Sequence, residues 1–312
     1  MAKIAMIIPY FGKFPEWMNL YLYTVSRNPG IDFHYFTDCE ANTPPLKFAT
    51  NIFFHRITFQ EYREFIFEKT GIHLPDNPMK LCDLKPFYGI IHKEMLLSND
   101  YEWWGFGDLD VVYGDLTPII DKTKDNKYDI ITTQLIHTAG HFTLFRIDSK
   151  FSDIAVHING IHKTIENPEN KWVDETTFSL SVRSRKIKFI DKLWYLIGKR
   201  FNVNRNRFYH IIDTILPGNS RQYYHEYGTS FKPLIGETYI LDLATSDWRL
   251  GNAIFQDGIR PADNLPYLHF VWFKGRYGED LSWNNDFWKI SSTYHWRGDE
   301  KVSFSLSEVK LV

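Results

Sequence analysis

Apolar positions in the first third of the chain fall into short unbroken runs, separated by stretches with helical spacing. Residues 3–9 carry Ile4, Ala5, Met6, Ile7 and Ile8 without polar alternation, the pattern of a strand buried on both faces. Residues 15–26 predict a helix, with Trp17, Leu20, Tyr21 and Thr24 on one face and Asn28-Pro29-Gly30 as its stop. Residues 31–37 and 51–57 read as the next two strands. A helix over 58–70 follows, opened by a capping box of Thr58 and Glu61 and closed by Gly71. Residues 84–97 predict a further helix with Pro86 in its first turn. Residues 102–108, 128–134 and 140–147 read as three more strands.

Strands alternating with helices predict an α/β fold, a mainly parallel sheet flanked by helices. Ligands of such sheets bind beyond the carboxyl ends of the strands. Pro9-Tyr10-Phe11-Gly12, Thr37-Asp38 and Asp108-Leu109-Asp110 all fall at such ends, so three strands converge on one rim. No G-x-G-x-x-G and no G-x-x-x-x-G-K-[ST] follows the first strand, which argues against a dinucleotide fold or a P-loop. The pattern becomes irregular after about residue 180. Residues 183–207 hold nine Lys or Arg against one acid, Asp191, with Ile187, Ile190, Leu193, Trp194 and Ile197 spaced for one helical face. That segment reads either as peripheral contact with an anionic membrane or as an ordinary solvated helix. The tail from Trp296 alternates enough to form a strand, paired within the fold or across a dimer.

Composition narrows the reading only at a few points. With 36 Lys+Arg against 38 Asp+Glu there is no global field, and no nucleic-acid partner is expected. Aromatic residues make up 17% of the chain, enough to fill a core and still leave rings to stack on bases or sugars. Cys39 and Cys82 stand in no CxxC or CxH pattern, which makes zinc or redox chemistry a weak reading. Buried reduced thiols, and an N-terminus broken by Pro9 that reads as a strand rather than a signal peptide, fit a cytoplasmic protein, or one peripheral to the inner face of the membrane.

The candidate chemistry centres on Asp108 and Asp110. Two carboxylates one residue apart at a strand end offer hard oxygen ligands to Mn2+ or Mg2+, and such an ion can carry a diphosphate. If the strand persists, both point to one side; an Asp-x-Asp turn is also common without an ion. Asp115 reads as a turn residue. Asp174 and Glu175 precede a helical stretch, where acids suit a helix N-terminus. Gly140 permits close backbone approach, and His137 and His141 are placed to contact donor or acceptor hydroxyls. His269 follows an apolar strand-like approach, where a lone histidine is more often merely packed.

The motifs PYFG, FTD, KLCDLKPFYG, WWGFGDLDVVYGDL, HFTLFR, WVDETTF and LHFVWFK occur in this order over residues 3–275. Together they resemble a bacterial glycosyltransferase family with the GT-A fold, active in surface-polysaccharide biosynthesis. They are also similar to retaining enzymes of the glycogenin and galactosyltransferase type. The resemblance implies a GT-A domain over 1–275 and a C-terminal extension over 276–312. It implies Mn2+ or Mg2+ held by Asp108, Asp110 and His269, and a nucleoside-diphosphate sugar, UDP-linked, as donor. Pro9, Tyr10 and Phe11 would line the nucleotide pocket, and Asp38 would accept from base or ribose. Lys80, Asp83 and Lys85 would reach toward ribose and diphosphate, with Lys274 on the diphosphate. Asp174 and Glu175 would act on the sugar, and the acceptor would be a glycan or a lipid-linked oligosaccharide. Two other readings remain at this stage: a sugar nucleotidyltransferase, which lacks its expected glycine-rich basic loop here, and a non-catalytic carbohydrate-binding protein with a degenerate transferase site.

Overall fold

The structure is a computed structural model that describes residues 3–40, 49–133, 138–182, 185–201, 208, 222–224, 238–250, 266–270, 287–305 and 308–312. The strands β1 (Ile4–Pro9), β2 (Asp32–Thr37) and β3 (Ile52–Arg56) form where the apolar runs predict them. Helix α1 (Met18–Ser26) links the first two, and α2 (Phe59–Thr70) follows the third. The capping box at α2 is formed as expected: Thr58 Oγ1 accepts from Glu61 N, the Glu61 carboxylate accepts from Thr58 N, and Gly71 ends the helix in the left-handed region.

The helix expected over 84–97 is broken instead into α3 (Leu81–Leu84), a 3-10 turn (Lys85–Phe87), α4 (Tyr88–Ile91) and α5 (Lys93–Ser98). Pro86 has no N–H to donate to the preceding turn. Farther on, Gly89 lies against Trp104, where a Cβ would sit 2.3 Å from the indole Cε2. Helix packing on the sheet therefore sets the path here, in place of unbroken helical hydrogen bonding.

Beyond this segment come β4 (Trp103–Gly107), β5 (Val111–Tyr113), α6 (Thr117–Thr123), β6 (Ile130–Thr132) and β7 (Phe142–Arg146). After β7 come α7 (Ile161–Glu166), a π-helical turn (Asp174–Phe178), α8 (Ser179–Val182) and α9 (Arg185–Leu193). The remaining described strands are β8 (Gln222–Tyr224), β9 (Thr238–Asp242), β10 (Asp247–Leu250), β11 (Tyr267–His269), β12 (Lys301–Ser305) and β13 (Val309–Leu311). The central sheet has the order β3-β2-β1-β4-β7-β6-β8, and β7 alone runs against the others. The fold is thus α/β with a mainly parallel sheet flanked by helices, as the sequence predicts.

Both faces of this sheet are covered. On one side Ile4, Met6 and Ile8 pack with α1, Phe33 and Tyr35; on the other Ala5 and Ile7 pack with Tyr62, Ile66 and the helices of 81–98. A second, antiparallel sheet, β10-β9-β12-β13, adds Tyr239, Leu241, Val302 and Phe304 to the first of these cores. The tail therefore pairs within the fold, through β12 on β9.

Candidate functional site

Strand β4 ends at Gly107, beside the carboxyl ends of β1 and β2. The antiparallel β7 begins at the same rim, with Phe142 opposite Gly107. This topology delivers residues 138–141 to the place where Asp108-Leu109-Asp110 leaves the sheet. The chain bends at 109–110 rather than continuing as strand, and β5 begins only at Val111. Trp17 Nε1 donates to Leu109 O at 2.7 Å and pins the bend. Strand β11 pairs antiparallel with β5, placing His269 opposite Val111, while Phe270 N donates to Asp110 O at 3.0 Å. Two segments separated by more than 150 residues in sequence are thereby locked side by side.

The result is a cluster of Asp108, Asp110 and His269 whose ligand atoms all lie within 4.8 Å of one another. His269 Nε2 is 3.5 Å from Asp110 Oδ1. Two ligands of one Mg2+-sized ion lie at most about 4.2 Å apart, since each bond is about 2.1 Å. The cluster would have to draw its three side chains together to share one ion. Its donor set, two carboxylates and an imidazole, suits Mn2+ or Mg2+. The His269 ring stacks on His141 with centroids 4.2 Å apart, and His141 Nδ1 is 2.9 Å from Tyr267 Oη. Tyr267 Oη also meets Thr133 Oγ1. Tyr267 and His269, two apart on β11, thus reach the same side of the strand, and His141 supports the His269 ring from below.

Lys85 joins this cluster to the acidic pair. Its buried ammonium lies 2.6 Å from Asp108 Oδ1 and 3.6 Å from Asp174 Oδ2, and donates to Gly140 O at 2.9 Å. Burial opposes the charge on Lys85, but Asp108 and Asp174 outweigh it and hold the ammonium well above the ordinary lysine range. Burial raises the Asp108 carboxyl against the lowering effect of Lys85, with Asp110 adding to the rise. Burial also pushes Asp174 up to about 7, with Lys85 pulling it back and Glu175 and Asp108 raising it. Glu175 is only half-buried, and its Oε1 accepts from Gly140 N at 3.3 Å. A Cβ on Gly140 would lie 2.7 Å from Asp174 Oδ2, so a side chain here would have to displace that carboxylate.

The acidic pair sits in a π-helical turn, where Phe178 N donates to Val173 O at 2.9 Å. Such turns are frequent at functional sites. Before it, Trp172 is exposed and holds a left-handed backbone with φ of 49°, rare for a bulky residue. Lys80 and Asp83 hold this segment in place. Asp83 accepts from Lys171 N at 2.9 Å and Val173 N at 3.0 Å; Lys80 donates to Asp83 at 2.6 Å and to Glu169 O at 2.8 Å. Both are fully buried, and the Lys80 donors are taken up by protein oxygens. This placement corrects the expectation that the two reach toward ribose and diphosphate: they position the loop that carries Asp174 and Glu175.

Of the residues at the first strand end, Tyr10 is half-buried and stacked on Phe14, and burial, Cys39 and Asp110 together raise its phenol. Phe11 turns inward against Phe59 and Tyr62, and Pro9 is buried in β1, which runs against the expectation that both line the nucleotide pocket. Asp38 is exposed, and its Oδ1 accepts from Gly12 N at 2.9 Å. Asp115 accepts from Thr117 N, the turn role read from the sequence. His137 and Lys274 lie outside the described residues. Cys39 and Cys82 are free thiols, and burial pushes Cys82, near Lys85 and Asp108, up to about 12. Sequence reasoning placed Trp17 only on a helix face and missed Tyr267 and Thr133 as supports of the rim; Tyr267 alone had a signal there, its two-residue offset from His269.

The fold and site define an α/β protein with a carboxylate–histidine rim at the ends of parallel strands. A family profile matches residues 6–288, and the chain belongs to that family, described as a family of unknown function (DUF6625). No protein of curated function matches it. Among solved structures it is similar to the galactosyltransferase LgtC in complex with donor and acceptor sugar analogues, at 11% identity over 56% of this chain and 70% of that one, with a TM-score of 0.33. It is similar to mouse xyloside xylosyltransferase 1 at 7% identity over 75% and 88%, TM-score 0.32. The glycosyltransferase GlyE of Streptococcus pneumoniae TIGR4 matches at 10% identity over 72% and 46%, TM-score 0.27. Likenesses this distant say nothing of the reaction of this chain.

Proposed function

We propose that this protein is a metal-dependent glycosyltransferase that moves a sugar from a nucleoside-diphosphate sugar, a UDP-sugar foremost, to a glycan or lipid-linked acceptor of the bacterial surface. The observation that carries the reading is the convergence of Asp108, Asp110 and His269 at one strand-end rim, joined through Lys85 to a second acidic pair. Asp108, Asp110 and His269 would hold Mn2+ or Mg2+, which when bound supplies positive charge against a leaving diphosphate. Lys85 fixes the Asp108 carboxylate and keeps it from turning away. Tyr10 and Asp38, at neighbouring strand ends, are the groups for base and ribose. Lys274 is assigned to the diphosphate by resemblance alone.

Asp174 and Glu175 divide the remaining work. Asp174 is buried, paired with Lys85 and partly neutral near pH 7, which suits a positioning role. Glu175 has the more open carboxylate and stands across Gly140 from Lys85, so it is the residue assigned to sugar hydroxyls or to charge developing at the anomeric carbon. Retention of configuration is proposed on the resemblance of the motifs.

A thermal-shift panel of nucleoside-diphosphate sugars tests this reading on the wild type and on Asp110→Asn, with and without Mn2+. The expected result is stabilisation by a UDP-sugar that needs both the ion and Asp110. Stabilisation that is indifferent to Mn2+ and to the substitution would remove the metal from the account.

A further inference from the structure

Helix α9 and the π-helical turn Trp194–Gly198 form a segment that the transferase reading leaves without a task. Ile190 is 2% exposed, Leu193 and Trp194 are half-buried, and Gly198 is buried against the Trp194 indole. The other face differs from that of an ordinary surface helix, which would be polar there. Phe189 is 56% exposed, Tyr195 66%, Leu196 63% and Phe201 71%. Lys188, Lys192, Lys199 and Arg200 are exposed among them, and the Lys199 ammonium lies 4.7 Å over the Tyr195 ring. Single exposed apolar side chains need no explanation, but with Ile197 these make five large ones within 13 residues and mark a surface made to be covered.

We infer that this face docks on an anionic lipid bilayer. The charge selects the partner. Between 185 and 200 the sequence carries Arg185, Lys186, Lys188, Lys192, Lys199 and Arg200 against Asp191 alone, in a chain whose net charge is −2. A second copy of the chain, paired through this face, would set like charges against one another. An anionic membrane satisfies both parts of the face: the rings and Leu196 enter the boundary between headgroups and acyl chains, and the cations meet lipid phosphates. Lysine over tyrosine suits that boundary, with an apolar body below and a charge above. No described helix is long and apolar enough to cross a membrane, so the segment lies on the surface rather than spanning it. The inference does not depend on the proposed reaction, since binding to lipid needs neither donor nor metal.

Co-sedimentation with vesicles tests it on the full chain. Vesicles of phosphatidylcholine alone are compared with vesicles of equal parts phosphatidylcholine and phosphatidylglycerol. Binding is expected to the second and not the first, and to weaken as salt shortens the Debye length. The variant Phe189→Ser/Leu196→Ser/Phe201→Ser should lose binding. Lys188→Gln and Lys192→Gln should each weaken it roughly fivefold, the effect of one basic residue near an anionic surface. All five positions are exposed, and unchanged circular dichroism confirms that each variant is folded. Equal binding to both vesicle types, binding to neither, or a dimer in light scattering that the triple variant dissolves would each overturn the inference.

Discussion

Lys85 Nζ lies within 4 Å of two carboxylates, Asp108 and Asp174, and this one ammonium holds the rim cluster and the acidic pair in a common frame. Removing it leaves the buried Asp174 and the partly buried Asp108 without their cation. Lys85→Met is expected to destabilise the fold by about 3 kcal/mol, the usual result of breaking a buried pair from one side. Thermal denaturation checks this, and an unchanged Tm would show that the pair contributes nothing. At this scale the sequence was legible where motif order could be matched: Asp108, Asp110 and His269, grouped by the resemblance, are brought together at the rim. It was not legible where burial decides. Lys80 and Lys85 stand five residues apart with the same side chain, yet one ties down the 169–173 loop and the other faces the rim. Phe11 and Tyr10 are adjacent aromatics just past the end of β1, yet Phe11 packs on Tyr62 while the phenol of Tyr10 feels Asp110.

Among the elements, the strands were readable because each is a short apolar run with a turn signal at its end. The helix over 84–97 was not, because periodicity ignores what packs on the other side. Gly89 exists for Trp104, and that contact arises only when α4 meets β4. Gly89→Ala is expected to destabilise by about 1–3 kcal/mol through overpacking, despite the higher helix propensity of alanine. Urea denaturation measures it; a stabilised variant would mean that the indole has room to move. The antiparallel β7 was also hidden, since its run of Phe142, Leu144 and Phe145 carries no mark of direction. That reversal is nonetheless what brings Gly140 and His141 to the rim.

At the scale of the whole molecule, one outer region of the sheet carries a histidine network apart from the rim. His34 lies 2.9 Å from His55 and 2.8 Å from Tyr101 Oη, while His92 meets Tyr62 Oη at 2.8 Å. Burial lowers His34 to about 4 and His92 to about 3, with neighbouring histidines adding to both shifts. The unfolded chain takes up these protons near pH 6.5, and the folded chain resists them. Between 6.5 and about 4 the unfolded state therefore binds more protons, so this network loses stability as pH falls and regains it as pH rises. Asp174, raised to about 7, acts in the opposite direction, so the histidine contribution is read as a difference. His92→Phe should show a shallower fall in Tm than the wild type over that range. An equal slope in both proteins would remove His92 from the acid response. None of this was legible in the sequence, where the histidines stand far apart.

The central claim, that Asp108, Asp110 and His269 form one metal site, is tested most directly by titrating Mn2+ into the protein and following the free ion by electron paramagnetic resonance. The account predicts one saturable site per chain in the wild type, with affinity lowered at least tenfold in Asp110→Asn and in His269→Ala. Equal Mn2+ binding in all three proteins would contradict it.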